Sequence, residues 1–99
     1  MTTNYGDELI AGISSKDTSI ALSAAQAYET HMRNPADGVN YVLWLTEPPN
    51  LTAVHRALID NLGIPPKLLA VRRTAANRTQ KSLMLIKAIQ SGIQRVTKV

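Results

Sequence analysis

Three proline-bearing punctuation marks constrain this chain more than any other feature: Asn34-Pro35-Ala36-Asp37, Pro48-Pro49 and Gly63-Ile64-Pro65-Pro66. Proline has no backbone N–H and clashes with the preceding helical turn, so no regular element runs through such a site. The stretches between the marks are therefore short. Most of them carry helix-start chemistry at one end and apolar residues at helical spacing within.

Read in order, these signals predict six short helices. Asn4 caps a first helix over roughly 5–13, with Asp7 and Glu8 well placed against its N-terminal dipole. Ser14 or Ser15 begins a second, with Asp17 in its first turn. Ile20, Ala24, Ala27 and Tyr28 fall on one face of that helix, and Gln26, Glu29, Thr30 and Arg33 on the other. Asn34-Pro35-Ala36-Asp37 starts a third: a capping Asn, a proline at the first helical position and an acid at the third. Residues 39–46 are rich in strand formers, but no second strand exists to pair with them, and a lone strand is not stable. A helix is the expectation. Pro48 and Pro49 end it, and Asn50 caps a fourth helix over 51–62. Gly63 supplies a left-handed stop, with Ile64 as the hydrophobic contact beyond it and Pro65 blocking continuation. A fifth helix runs from Pro66 through Ala75, and Asn77 or Thr79 starts a sixth that ends near Val96. The expected fold is a single all-α domain over 1–99, a compact bundle of five to six short helices with brief connections.

The core must be built from Leu, Ile, Val and Ala, because the chain has no Phe and one Trp. Small side chains let helices approach closely and leave little volume for an internal ligand cavity. Trp44, flanked by Leu43 and Leu45, reads as a packing residue and not as a base-stacking one.

Charge is distributed unevenly. Residues 1–60 hold three Lys or Arg against seven Asp or Glu, a net −4; residues 61–99 hold eight cations against none, a net +8. A region of one sign repels itself. Such a region fits a polyanion or an acidic protein surface as partner. Within it, Leu58 to Arg73 has the rhythm of a helix-turn-helix, a unit that would occupy residues 51–76. The Gly63 turn would be fixed by Leu58, Leu62, Ile64, Leu68 and Val71, and the second helix would present Lys67, Arg72 and Arg73. Bulky Ile59 near the elbow and the Pro65-Pro66 pair depart from that pattern.

In the last helix, Leu85, Ile86, Ile89, Ile93 and Val96 gather on one face, with Lys81, Lys87, Arg95 and Lys98 opposite. An ordinary solvated face mixes both signs. Asn77, Arg78, Gln80 and Lys81 add side chains suited to phosphates and base edges, although Asn77 and Gln80 equally suit helix capping and solvent. The nucleic-acid-binding candidates are thus Lys67, Arg72, Arg73, Asn77, Arg78, Gln80, Lys81, Lys87, Arg95 and Lys98. Duplex DNA is the favoured partner, and homo-oligomerisation follows by analogy with operator symmetry.

Other classes find less support. With no cysteine, thiolate metal sites, thiol nucleophiles and disulfides are excluded, and a reducing cytoplasm suits the chain. His31 and His55 stand alone without metal-ligand spacing, and no phosphate-cradling glycine motif appears. No enzyme, cofactor or metal is expected. The acidic N-terminus lacks the apolar run of a secretory signal, and no stretch approaches the ~20 apolar residues that span a bilayer. Asn50-Leu51-Thr52 and Asn77-Arg78-Thr79 match the glycosylation pattern but read as helix starts. Two rival readings share the same charge split. One is head-to-tail assembly of acidic on basic parts, as in a virion or nucleoprotein subunit; the other is an inhibitor or adaptor that docks on an acidic protein.

Overall fold

The computed structural model describes residues 5–71 and 77–97. Among them there is no strand, and five α-helices follow in order: α1 (Asp7–Ser14), α2 (Thr18–Met32), α3 (Gly38–Thr46), α4 (Pro48–Leu62) and α5 (Arg78–Thr97), with a short 3-10 turn at Pro66–Leu69 between the last two. The Cα radius of gyration is 12.6 Å, close to the ~13 Å expected of a globular chain of this length.

Helix α2 lies at the centre, packed by α1, α3 and α5, while α4 closes the assembly against α1 and α3. Its buried stripe is Ala21, Ala25, Tyr28 and Met32. That corrects the expected face: Tyr28 is buried as expected, but Ile20 is half exposed and Ala27 exposed. Alanines at 21, 24, 25 and 27 permit several stripes of similar apolarity, and the neighbours choose among them. Gly12 of α1 sets one constraint, because a Cβ there would fall 2.4 Å from the Ala24 Cβ. The two helices touch through their smallest side chains.

Several boundaries also differ. Asp17 is the N-cap of α2, not a first-turn residue: its Oδ1 accepts from the Ser19 and Ile20 N–H groups at 2.9 and 3.4 Å. The Ser19 hydroxyl joins them, and these bonds hold the Asp17 carboxyl below its usual range. Asn4 lies outside the described residues, and α1 begins after Gly6. Residues 35–37 form a turn, and α3 starts only at Gly38. Helix α4 starts at Pro48 instead of after Asn50, with Pro48 and Pro49 in the first turn, where no N–H is needed. Glu47, extended at ψ 129°, ends α3 and begins α4. Asn50 turns back and donates to the Trp44 carbonyl at 3.0 Å and to Glu47 Oε2 at 3.2 Å. It closes α3 while sitting in α4.

Gly63 stops α4 as expected. It is left-handed at φ 66°, and its N–H donates to the Ile59 carbonyl at 3.0 Å. Ile64 beyond it is buried. The helix expected over 66–75 is not formed in its described part, 66–71: the 3-10 turn ends at Leu69, and Ala70 is extended at ψ 134°. Two prolines start this segment, and burial finishes it. Ile64 and Leu69 are buried beside Gly92 of α5, where an added Cβ would meet Ile64 Cγ2 at 3.1 Å and Leu69 Cδ2 at 3.6 Å. The helix-turn-helix unit expected over 51–76 therefore lacks its second helix through residue 71. Residues 72–76 lie outside the described residues.

Candidate nucleic-acid interface

Helix α5 is the largest carrier of the predicted site. Its inner face is Ser82, Leu85, Ile86, Ile89, Gly92 and Ile93, all buried, with Val96 partly so. This is the expected stripe, extended by two small residues. The Ser82 hydroxyl bonds the Met32 sulfur at 3.2 Å and ties α5 to the end of α2. With that face fixed, Arg78, Lys81, Lys87 and Arg95 are exposed. Lys81 lies fourteen residues before Arg95 along the helix, a rise of about 21 Å.

The start of α5 has unusual electrostatics. A helix N-terminus carries a partial positive charge that carboxylates stabilise. The four other α-helices meet that preference: α1 with Asp7 and Glu8, α2 with Asp17, α3 with Asp37 and α4 with Glu47. Helix α5 has no acid in its first turn and carries Arg78 and Lys81 there. Asn77 Oδ1 accepts from the Gln80 N–H at 2.8 Å, so Asn77 serves as the cap. Helix dipole and two cations thus superpose positive potential at one end of α5, and the Asn77 cap is neutral. Arg95 in the last turn, by contrast, complements the negative end.

The candidates differ in exposure and in partners. Lys67 is exposed on the 3-10 turn. Among the described residues, Lys67, Arg78, Lys81 and Arg95 have no carboxylate partner. Lys87 does have one, since its Nζ lies 3.2 Å from Glu29 Oε2. Arg72, Arg73 and Lys98 lie outside the described residues. Gln80 is exposed near the start of α5. Beside it an apolar groove of about 380 Å³ runs between Ala70–Val71 and Leu83, Met84 and Ala88, with Lys87 on its rim.

The sequence reading missed what binds the two charge regions together. Glu29, assigned to the solvent face of α2, has a side chain only 14% exposed. Its Oε1 accepts from Gln90 at 2.9 Å, and its Oε2 from Arg33 at 2.9 Å, with Lys87 alongside. The Gln90 and Arg33 bonds, with help from Lys87, hold its carboxyl down at about 2. Only the Arg33 partner, four residues away, is legible along one helix. Arg56 and Asp60, at the same spacing on α4, form no ion pair.

Trp44 packs against the core near Tyr28, with ring centroids 6.1 Å apart, as a structural residue would. His55 is half buried, and its Nε2 is buried without a hydrogen-bond partner; burial pushes its pKa down. Among the described residues no three His, Cys, Asp or Glu side chains could hold a metal ion together. No described helix is long and apolar enough to cross a membrane. Comparison with known proteins found no matching family model, curated protein or solved structure.

Proposed function

We propose that this protein binds the phosphate backbone of nucleic acid, duplex DNA in the first place, as a small regulator or accessory factor. The observation that carries the reading is the start of α5, where Arg78 and Lys81 stand exposed at a helix N-terminus that has no acid. Cations at that position disfavour the isolated helix, and a phosphate would satisfy both them and the dipole. Lys67 and Arg95 add exposed cations without carboxylate partners, and Arg72, Arg73 and Lys98 add charge by sequence. With no second helix through residue 71, the reading rests on backbone contacts and not on base recognition from residues 66–71.

Fluorescence anisotropy on labelled duplex, titrated from low to physiological salt, tests it. The expected result is binding that weakens with a log–log slope of about −0.9 per contact, for about four to eight contacts. No binding at low salt would remove the reading.

A second reading, assembly of copies through acidic and basic parts, is favoured by the exposure of Ile20 (50%) and Val39 (63%), both within the acidic region. Mass that grows with protein concentration in the absence of nucleic acid would support it. A monomer at all concentrations would reject it.

A further inference from the structure

We infer that the crevice between the start of α1 and the α2–α3 pair is a binding site for an organic cation, an alkylammonium or guanidinium group. The crevice has a volume of about 250 Å³ and is lined by Tyr5, Tyr28, Tyr41, His31, Asp7 and Glu8, with Leu9 and Ala24 at its apolar base. Water's share of liquid volume is about 30 Å³, so there is room for a small ligand group.

Its walls are aromatic. Tyr41 is the hub: His31 stacks on it in parallel at 4.8 Å, and Tyr5 and Tyr28 meet it edge-to-face at 5.0 and 5.3 Å. The Tyr28 hydroxyl donates to the Tyr41 carbonyl, which fixes the α2–α3 side of the crevice. A chain with three tyrosines, one tryptophan and no phenylalanine has placed every tyrosine at this one place. Aromatic faces carry negative charge density, and they attract cations most strongly where water is partly excluded.

The mouth is acidic. Asp7 and Glu8 stand there exposed, Glu8 Oε2 lies 3.9 Å from His31 Nε2, and among the described residues no Lys or Arg lines the crevice. Part of that charge answers the positive end of α1. The remaining field is still negative at Tyr41, whose phenol is pushed up by burial first and then by Asp37 and Glu8. Aromatic walls with two carboxylates at the rim suit a cation with an alkyl surface. A hard metal ion would need oxygen ligands converging from several sides. This inference is independent of the nucleic-acid reading, because the crevice belongs to the acidic part of the chain.

Choline is the probe, with 3,3-dimethylbutan-1-ol, its uncharged isostere, as control. Protein NMR and the choline methyl resonance are followed in one titration at low ionic strength. The expected result is a saturable upfield ring-current shift of the methyl protons, with shifts on the Tyr5 and Tyr41 resonances and weaker binding of the neutral alcohol. Glu8→Gln, at an exposed site, should weaken choline about three- to tenfold without changing the fold, and Tyr41→Leu should do the same if it remains folded. Equal binding of the alcohol, a non-saturating shift, or choline binding that Glu8→Gln and Tyr5→Leu both leave intact would overturn the assignment. The source of the natural cation is read in the same samples. A monomer that binds choline takes a free small cation, whereas an oligomer that choline dissolves has a second copy's basic side chain in the crevice. Either upholds the site.

Discussion

Lys87 Nζ lies 3.2 Å from Glu29 Oε2, a contact that joins the acid-free part of the chain to the acidic part across the α2–α5 seam. Glu29 is also the acceptor for Gln90 and Arg33. One carboxylate therefore answers three donors from two helices, and its own helix supplies only one of them.

Acid should reveal that network. Glu29 has a folded pKa of about 2 against 4.5 unperturbed. A depressed carboxylate contributes stability that is fully present above its unfolded pKa and is lost as pH falls through the folded value. Stability should therefore fall from about pH 4.5 towards pH 2, and Glu29→Gln should flatten that fall. At pH 7 the substitution should cost about 1–2 kcal/mol, less than the full shift implies, because Arg33 and Lys87 are exposed and screened. Denaturant melts of both proteins from pH 7 to pH 2 check this; parallel curves would rule the network out as the source of acid sensitivity.

The same contact distinguishes Lys87 from the other cations in nucleic-acid binding. Arg78→Ala, Lys81→Ala and Arg95→Ala should each reduce the salt slope by about one where the residue contacts a phosphate, with little change in stability. Lys87→Ala should change the slope less and destabilise the fold, since its ammonium is already engaged. If Lys87→Ala lowers the slope most, the Glu29 pairing gives way on binding and the assignment of roles is wrong.

Lys16, between α1 and α2, is left-handed at φ 65°, the one non-glycine residue with positive φ among those described. Side chains disfavour that region by roughly 1–2 kcal/mol, although glycine gives some of this back in unfolded-state entropy. Lys16→Gly should therefore raise stability by about 0.5–1 kcal/mol. A calorimetric Tm at or below wild type would show that the backbone relaxes there without cost.

His55 supplies a signature near neutral pH. Burial depresses its pKa below the ordinary 6.5, and its Nε2 has no partner. The unfolded chain then binds more protons than the folded one just below pH 6.5, so stability declines as pH drops through that value. His55→Leu should remove this part of the decline, giving the variant its largest relative gain near pH 5. An unchanged pH 5 to pH 7 difference in the variant would assign the decline to other groups.

The sequence by itself determined several of the helix stops and starts. The end of α4 needed a left-handed residue followed by an apolar one, and Gly63-Ile64 forms that stop. Asn77 had capping chemistry, and its Oδ1 holds the Gln80 N–H. The buried stripe of α5 follows from local periodicity, and the 39–46 helix from the lack of any second strand to pair with it. The acid-free run is also a fact of composition alone.

Only the tertiary structure decided the rest. Whether α2 buries Ile20 or Ala21 depends on where Gly12 of α1 presses, and the four nearby alanines leave the choice open. Whether Pro66–Leu69 grows into a helix depends on Ile64 and Leu69 seating beside Gly92, more than twenty residues downstream. Glu29 reads as solvent-facing until Lys87 and Gln90 arrive from α5. The three tyrosines, spread over residues 5 to 41, become one crevice only when α1 folds back on the α2–α3 pair. Local signals set backbone conformation because each residue's φ, ψ and capping options are its own. Burial and pairing are properties of two surfaces, and the second surface is not written beside the first.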